Sequence, residues 1–141
     1  MKGCKKIILL FLFIFSSCVG PPDYLDGLLE NIPAVVNEED YFSLSILGDN
    51  FTEEHDWNLA LSVSNADILL QTVVIKDIPL NSDSSNLLLL GLQGDTIMIY
   101  PLISNATYNR EDSVQYLGEI DRIIFTGNDF SGRLEYQILK K

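Results

Sequence analysis

The residues best suited to chemistry sit in one polar stretch, where Asp49, Asn50, Glu53, Glu54 and Asp56 offer hard oxygen donors around the single histidine, His55. Oxygen ligands of this kind suit Ca²⁺ better than a softer metal. Their spacing is not that of an EF-hand loop, so the expectation is at most a structural calcium on a turn, with a plain charged turn as the alternative. Zinc would need more histidine and cysteine than one His and two Cys can give. A Ser-His-Asp triad would have to use His55, which lies in a polar loop, and no G-x-S-x-G turn exists to expose a nucleophile. Pairs of carboxylates for glycoside hydrolysis can be drawn from the 20 acids, but any acidic surface carries such pairs, and a 141-residue chain leaves little room for cleft-forming loops. The residues therefore point away from an enzyme, with no cofactor beyond that calcium.

Two short patterns bear on modification. Asp95-Thr96-Ile97 and Asp112-Ser113-Val114 resemble the acceptor pattern of general O-glycosylation systems in some Gram-negative envelopes, which would make Thr96 and Ser113 the modified hydroxyls. Asn50-Phe51-Thr52 and Asn105-Ala106-Thr107 fit the N-glycosylation sequon. The aromatics Tyr41, Trp57, Tyr100, Tyr108, Tyr116 and Tyr136 could form a face for stacking sugars or binding protein, although Trp57 begins an alternating apolar run and reads better as core.

The first residues carry the strongest signal. Lys2, Lys5 and Lys6 precede the apolar run Ile7 to Phe15, which is followed by Ser16, Ser17 and Cys18. A basic start, a short apolar middle and small residues before a break mark a cleaved export signal. The run is too short to stay as a spanning helix, which needs about 20 residues. Phe15-Ser16-Ser17-Cys18 resembles the lipobox of bacterial lipoproteins, with Phe15 in place of the usual Leu. The resemblance implies cleavage before Cys18, lipidation of that residue, and residence in the cell envelope, on the outer membrane of a Gram-negative bacterium. Two or three acyl chains would hold durably, since each buried CH₂ is worth about 0.8 kcal/mol. Cys4 would leave with residues 1–17, so no disulfide framework remains for the mature domain. Loss of three lysines also moves the net charge from −11 to −14, a surface that repels nucleic acid.

Residues 18–40 read as a lipid tether with a short helix: Asp23 could cap it, Tyr24, Leu25, Leu28, Leu29 and Ile32 recur at near-helical spacing, and Pro33 ends it. From residue 41 to 141 the apolar period becomes two. Expected strands are 41–47, 57–63, 68–76, 87–92, 96–103, 114–117, 120–126 and 133–139, with polar turns between them, including one across 105–111. The fold expected is an all-β antiparallel sandwich of immunoglobulin-like or jelly-roll kind. The function expected is non-catalytic binding of an envelope protein or carbohydrate, against a structural or envelope-assembly role.

Overall fold

In a computed structural model, which describes residues 27–80, 82 and 84–141, the period-two alternation becomes two antiparallel sheets packed face to face. The first sheet holds β1 (Ala34–Asn37), β2 (Tyr41–Phe51), β9 (Phe130–Lys140), β4 (Ile68–Lys76) and β7 (Ala106–Ser113), in that spatial order. The second holds β3 (Glu54–Asn58), β8 (Ile120–Thr126), β5 (Asn86–Gly91) and β6 (Thr96–Pro101). A one-turn helix, α1 (Val114–Leu117), joins β7 to β8. The expected all-β sandwich is what forms.

Alternation decides which side chains are enclosed. Phe42, Leu44 and Ile46 of β2 are buried between the sheets, as are Leu69, Val73 and Ile75 of β4, Leu87 and Leu89 of β5, Ile123 and Phe125 of β8, and Leu134, Tyr136 and Ile138 of β9. Each such large side chain contributes about 1.5–3 kcal/mol on leaving water. Phe125 meets Phe130 edge to face at 5.6 Å and stacks on Phe51 at 5.6 Å, linking the two sheets at one end. Gly48 and Gly132 lie opposite each other where β2 and β9 bend. A Cβ on Gly48 would come within 2.6 Å of the Phe130 carbonyl oxygen, and Gly132 has φ of +130° with the Lys76 carbonyl 2.7 Å from where its Cβ would be. Both positions need glycine.

The structure redraws several elements. Residues 105–111, read as a turn, lie mostly in β7; as an edge strand it has a wet face and a half-open one, so apolar alternation is missing from its sequence. Val114–Leu117, read as a strand, is α1, which ends at Gly118 with φ of +89°. The strand read at 57–63 begins earlier, at Glu54, and its ladder stops at Asn58, although Leu61 still buries its side chain. Ala34–Asn37, read as tether, pairs with β2. Residues 27–32 hold a bridge from Glu30 to Leu47 and no helix; the remainder of the predicted helix, like Cys18 and the export signal, lies outside the described residues.

The two lateral sides of the sandwich close differently. On the β1/β3 side, Asn37 Nδ2 donates to the Asn58 carbonyl at 2.7 Å and Asn37 Oδ1 accepts the Ala60 N–H at 2.8 Å, while the Ser62 N–H reaches the Glu39 carbonyl at 2.9 Å. On the β6/β7 side, contact is through side chains: the Tyr100 and Tyr108 rings lie 5.8 Å apart, and Arg110 Nη1 reaches Met98 Sδ at 3.3 Å.

Candidate functional site

The oxygen donors predicted for calcium are divided among separate partners. Asn50 Nδ2 donates to Asp49 Oδ1 at 2.8 Å at the end of β2, where the backbone of Asp49 also exchanges hydrogen bonds with the Asn31 side chain at 2.8 and 2.9 Å. Glu53 pairs with His55 Nε2 at 3.0 Å, and Asp56 accepts from Arg122 Nη1 at 3.1 Å. Glu54 opens β3, exposed, on the same face of the strand as Asp56. Among the described residues, no three His, Cys, Asp or Glu side chains are gathered as a metal cage. His55 stands between the rings of Phe51 and Trp57, 5.6 Å from each and within 7° of parallel to Trp57.

Thr96 is the exposed first residue of β6, and Ser113 is half-buried at the end of β7, ahead of α1. The carboxylate of Asp112, beside Ser113, is gripped by Arg110 through two hydrogen bonds of 3.0 and 3.1 Å. Of the two sequon asparagines, Asn105 already accepts the Ile78 N–H at 2.9 Å and Asn50 is held at its turn as above. Three of the six aromatics gather, the Tyr100 ring lying 5.8 Å from those of Tyr108 and Tyr136. Tyr100 and Tyr136 are buried, Trp57 is half-buried against the core, Tyr108 is partly exposed, and Tyr116 protrudes from α1 at 95% exposure.

The buried tyrosines form a polar cluster inside the β6/β7 side. Gln71, only 2% exposed, accepts the Tyr136 hydroxyl at 2.8 Å and the Tyr100 hydroxyl at 3.4 Å on its Oε1. Burial pushes the Tyr100 hydroxyl up to about 12, with the nearby Arg110 charge opposing it, and raises that of Tyr136 as well. Both hydroxyls are therefore donors across the ordinary pH range.

Each outer sheet face carries a short apolar row: on the five-stranded sheet Tyr41, Leu139 and Leu70 are neighbours, with Leu139 43% exposed. Across the five-stranded sheet, the register sets Val36, Ser43, Gln137, Thr72 and Asn109 in one row, and the Thr72 hydroxyl donates to Asn109 Oδ1 at 3.1 Å. Polar residues dominate that row, as expected of a sheet face turned to water. Across the four-stranded sheet the equivalent row is Ile99, Leu88, Ile124 and Asp56, with Ile99 60% exposed. Three aliphatic side chains run side by side on an outward face. At the end of β6 nearest α1, Leu92 is 61% exposed and helps line an open cleft of about 550 Å³ with Gln93, Asp95, Ile97, Gly118 and Glu119.

Sequence reasoning singled out none of Leu88, Leu92, Ile99 and Ile124. A usable signal was present in Leu87-Leu88-Leu89-Leu90, because a strand apolar at every position has two apolar faces, and only one can point into a two-layer sandwich. The other must face water or a partner.

No protein-family model matches the chain, and no curated protein matches it. Among solved structures, it is similar to a protein from a study of Bacillus endospore appendages, described there as a family of disulfide-linked pili. The identity is 10%, over 83% of this chain and 95% of that one, at a TM-score of 0.41. It is also similar to the infectious bursal disease virus VP2 subviral particle protein at 13% identity, over 85% of this chain and 36% of that one, at a TM-score of 0.34. At these scores the likenesses carry nothing over to this chain.

Proposed function

We propose that the chain is a lipid-anchored protein of a bacterial cell envelope whose β-sandwich works by binding a partner protein, with no turnover of its own. The observation that carries the binding half is the Leu88, Ile99 and Ile124 row on the outer face of the four-stranded sheet, which runs out to the exposed Ile99 on the edge strand β6. A contiguous apolar patch on a soluble surface has a cost in water and is commonly an interaction site. Its side chains are aliphatic, which suits a protein surface better than the aromatic stacking by which sugars are held. The anchoring half rests on Lys2 to Cys18, and the described chain is compatible with it. Its N-terminal part meets the sandwich beside Leu47, through the Glu30 bridge. That is the end of β2 opposite the one that α1 and the β5–β6 turn share.

Two measurements on one preparation test both halves. Intact mass and membrane fractionation of the native protein, beside a Cys18→Ala variant, should give a mature chain starting at residue 18 with acyl mass, and a variant released from membranes. A soluble chain lacking acyl mass would remove the anchor. Photo-crosslinking residues placed in cells at Ile124 and, separately, at Gln137 on the opposite sheet should yield protein adducts from Ile124 alone; equal adducts from both would remove the binding face.

A further inference from the structure

Among the described residues, four strands form the edges of the two sheets, and three of them are defended. β1 is four residues long and is tied to the other sheet through Asn37. β3 has five residues and continues into a segment whose Leu59 and Ala60 N–H groups are taken by the Asp121 carbonyl and by Asn37. β7 points Arg110 and Asp112 toward the seam between the sheets, and inward charge on an edge strand is a known guard against edge pairing. β6 is different. From Thr96 to Pro101 it reads Thr-Ile-Met-Ile-Tyr-Pro, with no charge, and among the described residues it pairs with β5 alone. Its one irregularity is a register shift opposite Leu89 and Leu90, and its proline comes last, where an edge tolerates it.

We propose that β6 takes an extended, basic and apolar segment of a partner protein as a fifth strand beside the four-stranded sheet. The proposal rests on the binding reading above and names the mode and the partner's chemistry. A strand laid on β6 gains main-chain hydrogen bonds from the free edge and takes its specificity from alternate side chains. One of those would continue the Ile124, Leu88, Ile99 row with an apolar residue. At the Thr96 end of β6, the cleft that Ile97 and Leu92 help line also holds Asp95, in the β5–β6 turn, and Glu119, which precedes β8. Neither of these carboxylates has a cationic partner among the described residues, whereas Arg110 is matched by Asp112 and Lys141 lies 3.8 Å from Glu111. Lysine or arginine on the incoming strand would answer them.

Other occupants fit less well. A second copy would bring its own net charge of −11, or −14 without residues 1–17, against the same acidic end. Among the described residues, Glu30 and β1 of the N-terminal segment pair along β2, on the side of the sandwich away from β6.

The test is amide hydrogen exchange on the full chain with capped peptides of roughly eight residues, a length that covers one strand. An alternating lysine and valine peptide should slow exchange in β6 about tenfold or more. The same peptide with glutamate for lysine, or with N-methyl groups on alternate backbone nitrogens, should not. Ile99→Lys, an exposed position where edge lysines are tolerated, should abolish the effect with melting temperature unchanged, and Ile99→Val should keep it. Asp95→Asn combined with Glu119→Gln should weaken binding about tenfold. Equal action by the glutamate peptide overturns the proposal. So does slowing of β6 that rises with protein concentration and needs no peptide, since that identifies a second copy as the occupant. Slowing confined to other strands overturns the β6 assignment while leaving a binding module in place.

Discussion

Gln71 shows how one buried polar side chain binds the two sheets together. It lies on β4, and its Oε1 gathers hydroxyls from Tyr136 on β9 and Tyr100 on β6, so the cluster joins both layers. Removing one partner of such a pair leaves a desolvated group, which costs about 1–3 kcal/mol, whereas removing both can be nearly neutral. Tyr136→Phe and Gln71→Leu should each destabilise by about 1–2 kcal/mol in urea unfolding. The double variant should lose at least about 1 kcal/mol less than their sum, because the two groups are in contact. Strictly additive losses would mean that the pair is not coupled. The same cluster sets an alkaline limit. Tyrosine ionisation raised in the folded state means that the neutral form is favoured there, so this stability is complete below about pH 10 and is lost as pH climbs toward about 12. Sequence reading grouped Tyr100 and Tyr136 with candidate surface aromatics; only strand register and sheet packing turn them inward.

The two lateral sides of the sandwich are held together by different chemistry. The β1/β3 side is sewn by backbone bonds through one asparagine, and the β6/β7 side is packed by rings and a guanidinium. Asn37→Ala deletes two hydrogen bonds to backbone, each worth about 0.5–1.5 kcal/mol. The expected outcome is a loss of about 1–3 kcal/mol, with exchange of β1 and β3 amides accelerated ahead of β4 and β9. Uniform acceleration across the fold would show that Asn37 supports global stability and not that side in particular. Elements with two-faced apolar alternation, such as β2 and β4, were legible from sequence to within a few residues. β7 and α1 were not, because Thr107 to Asp112 alternates between solvent and a half-open seam, and a four-residue helix is set by its surroundings more than by its own pattern.

For the whole molecule, charge and topology set behaviour that no single element does. With −11 over 141 residues, self-repulsion works against the compact state. Raising ionic strength from about 10 to 200 mM, which shortens the screening length from about 30 Å to under 10 Å, should raise the melting temperature by a few degrees. A fall would mean that ion pairs such as Arg110–Asp112, Arg122–Asp56 and Arg133–Glu135 outweigh the repulsion. The sequence by itself determined the all-β class, the approximate places of six strands, the acidic balance, and an expectation of export and lipidation at Cys18. These follow from local period, composition and a contiguous signal, which need no knowledge of what lies across the fold. Only the tertiary structure decided that β1 completes the first sheet, that the oxygen donors around His55 part to separate partners, and that Leu88, Ile99 and Ile124 line up on an outward face beside an undefended edge. Those facts depend on which strands become neighbours. Strand order is set by contacts between residues far apart in the chain, and these leave no periodic trace in any one segment.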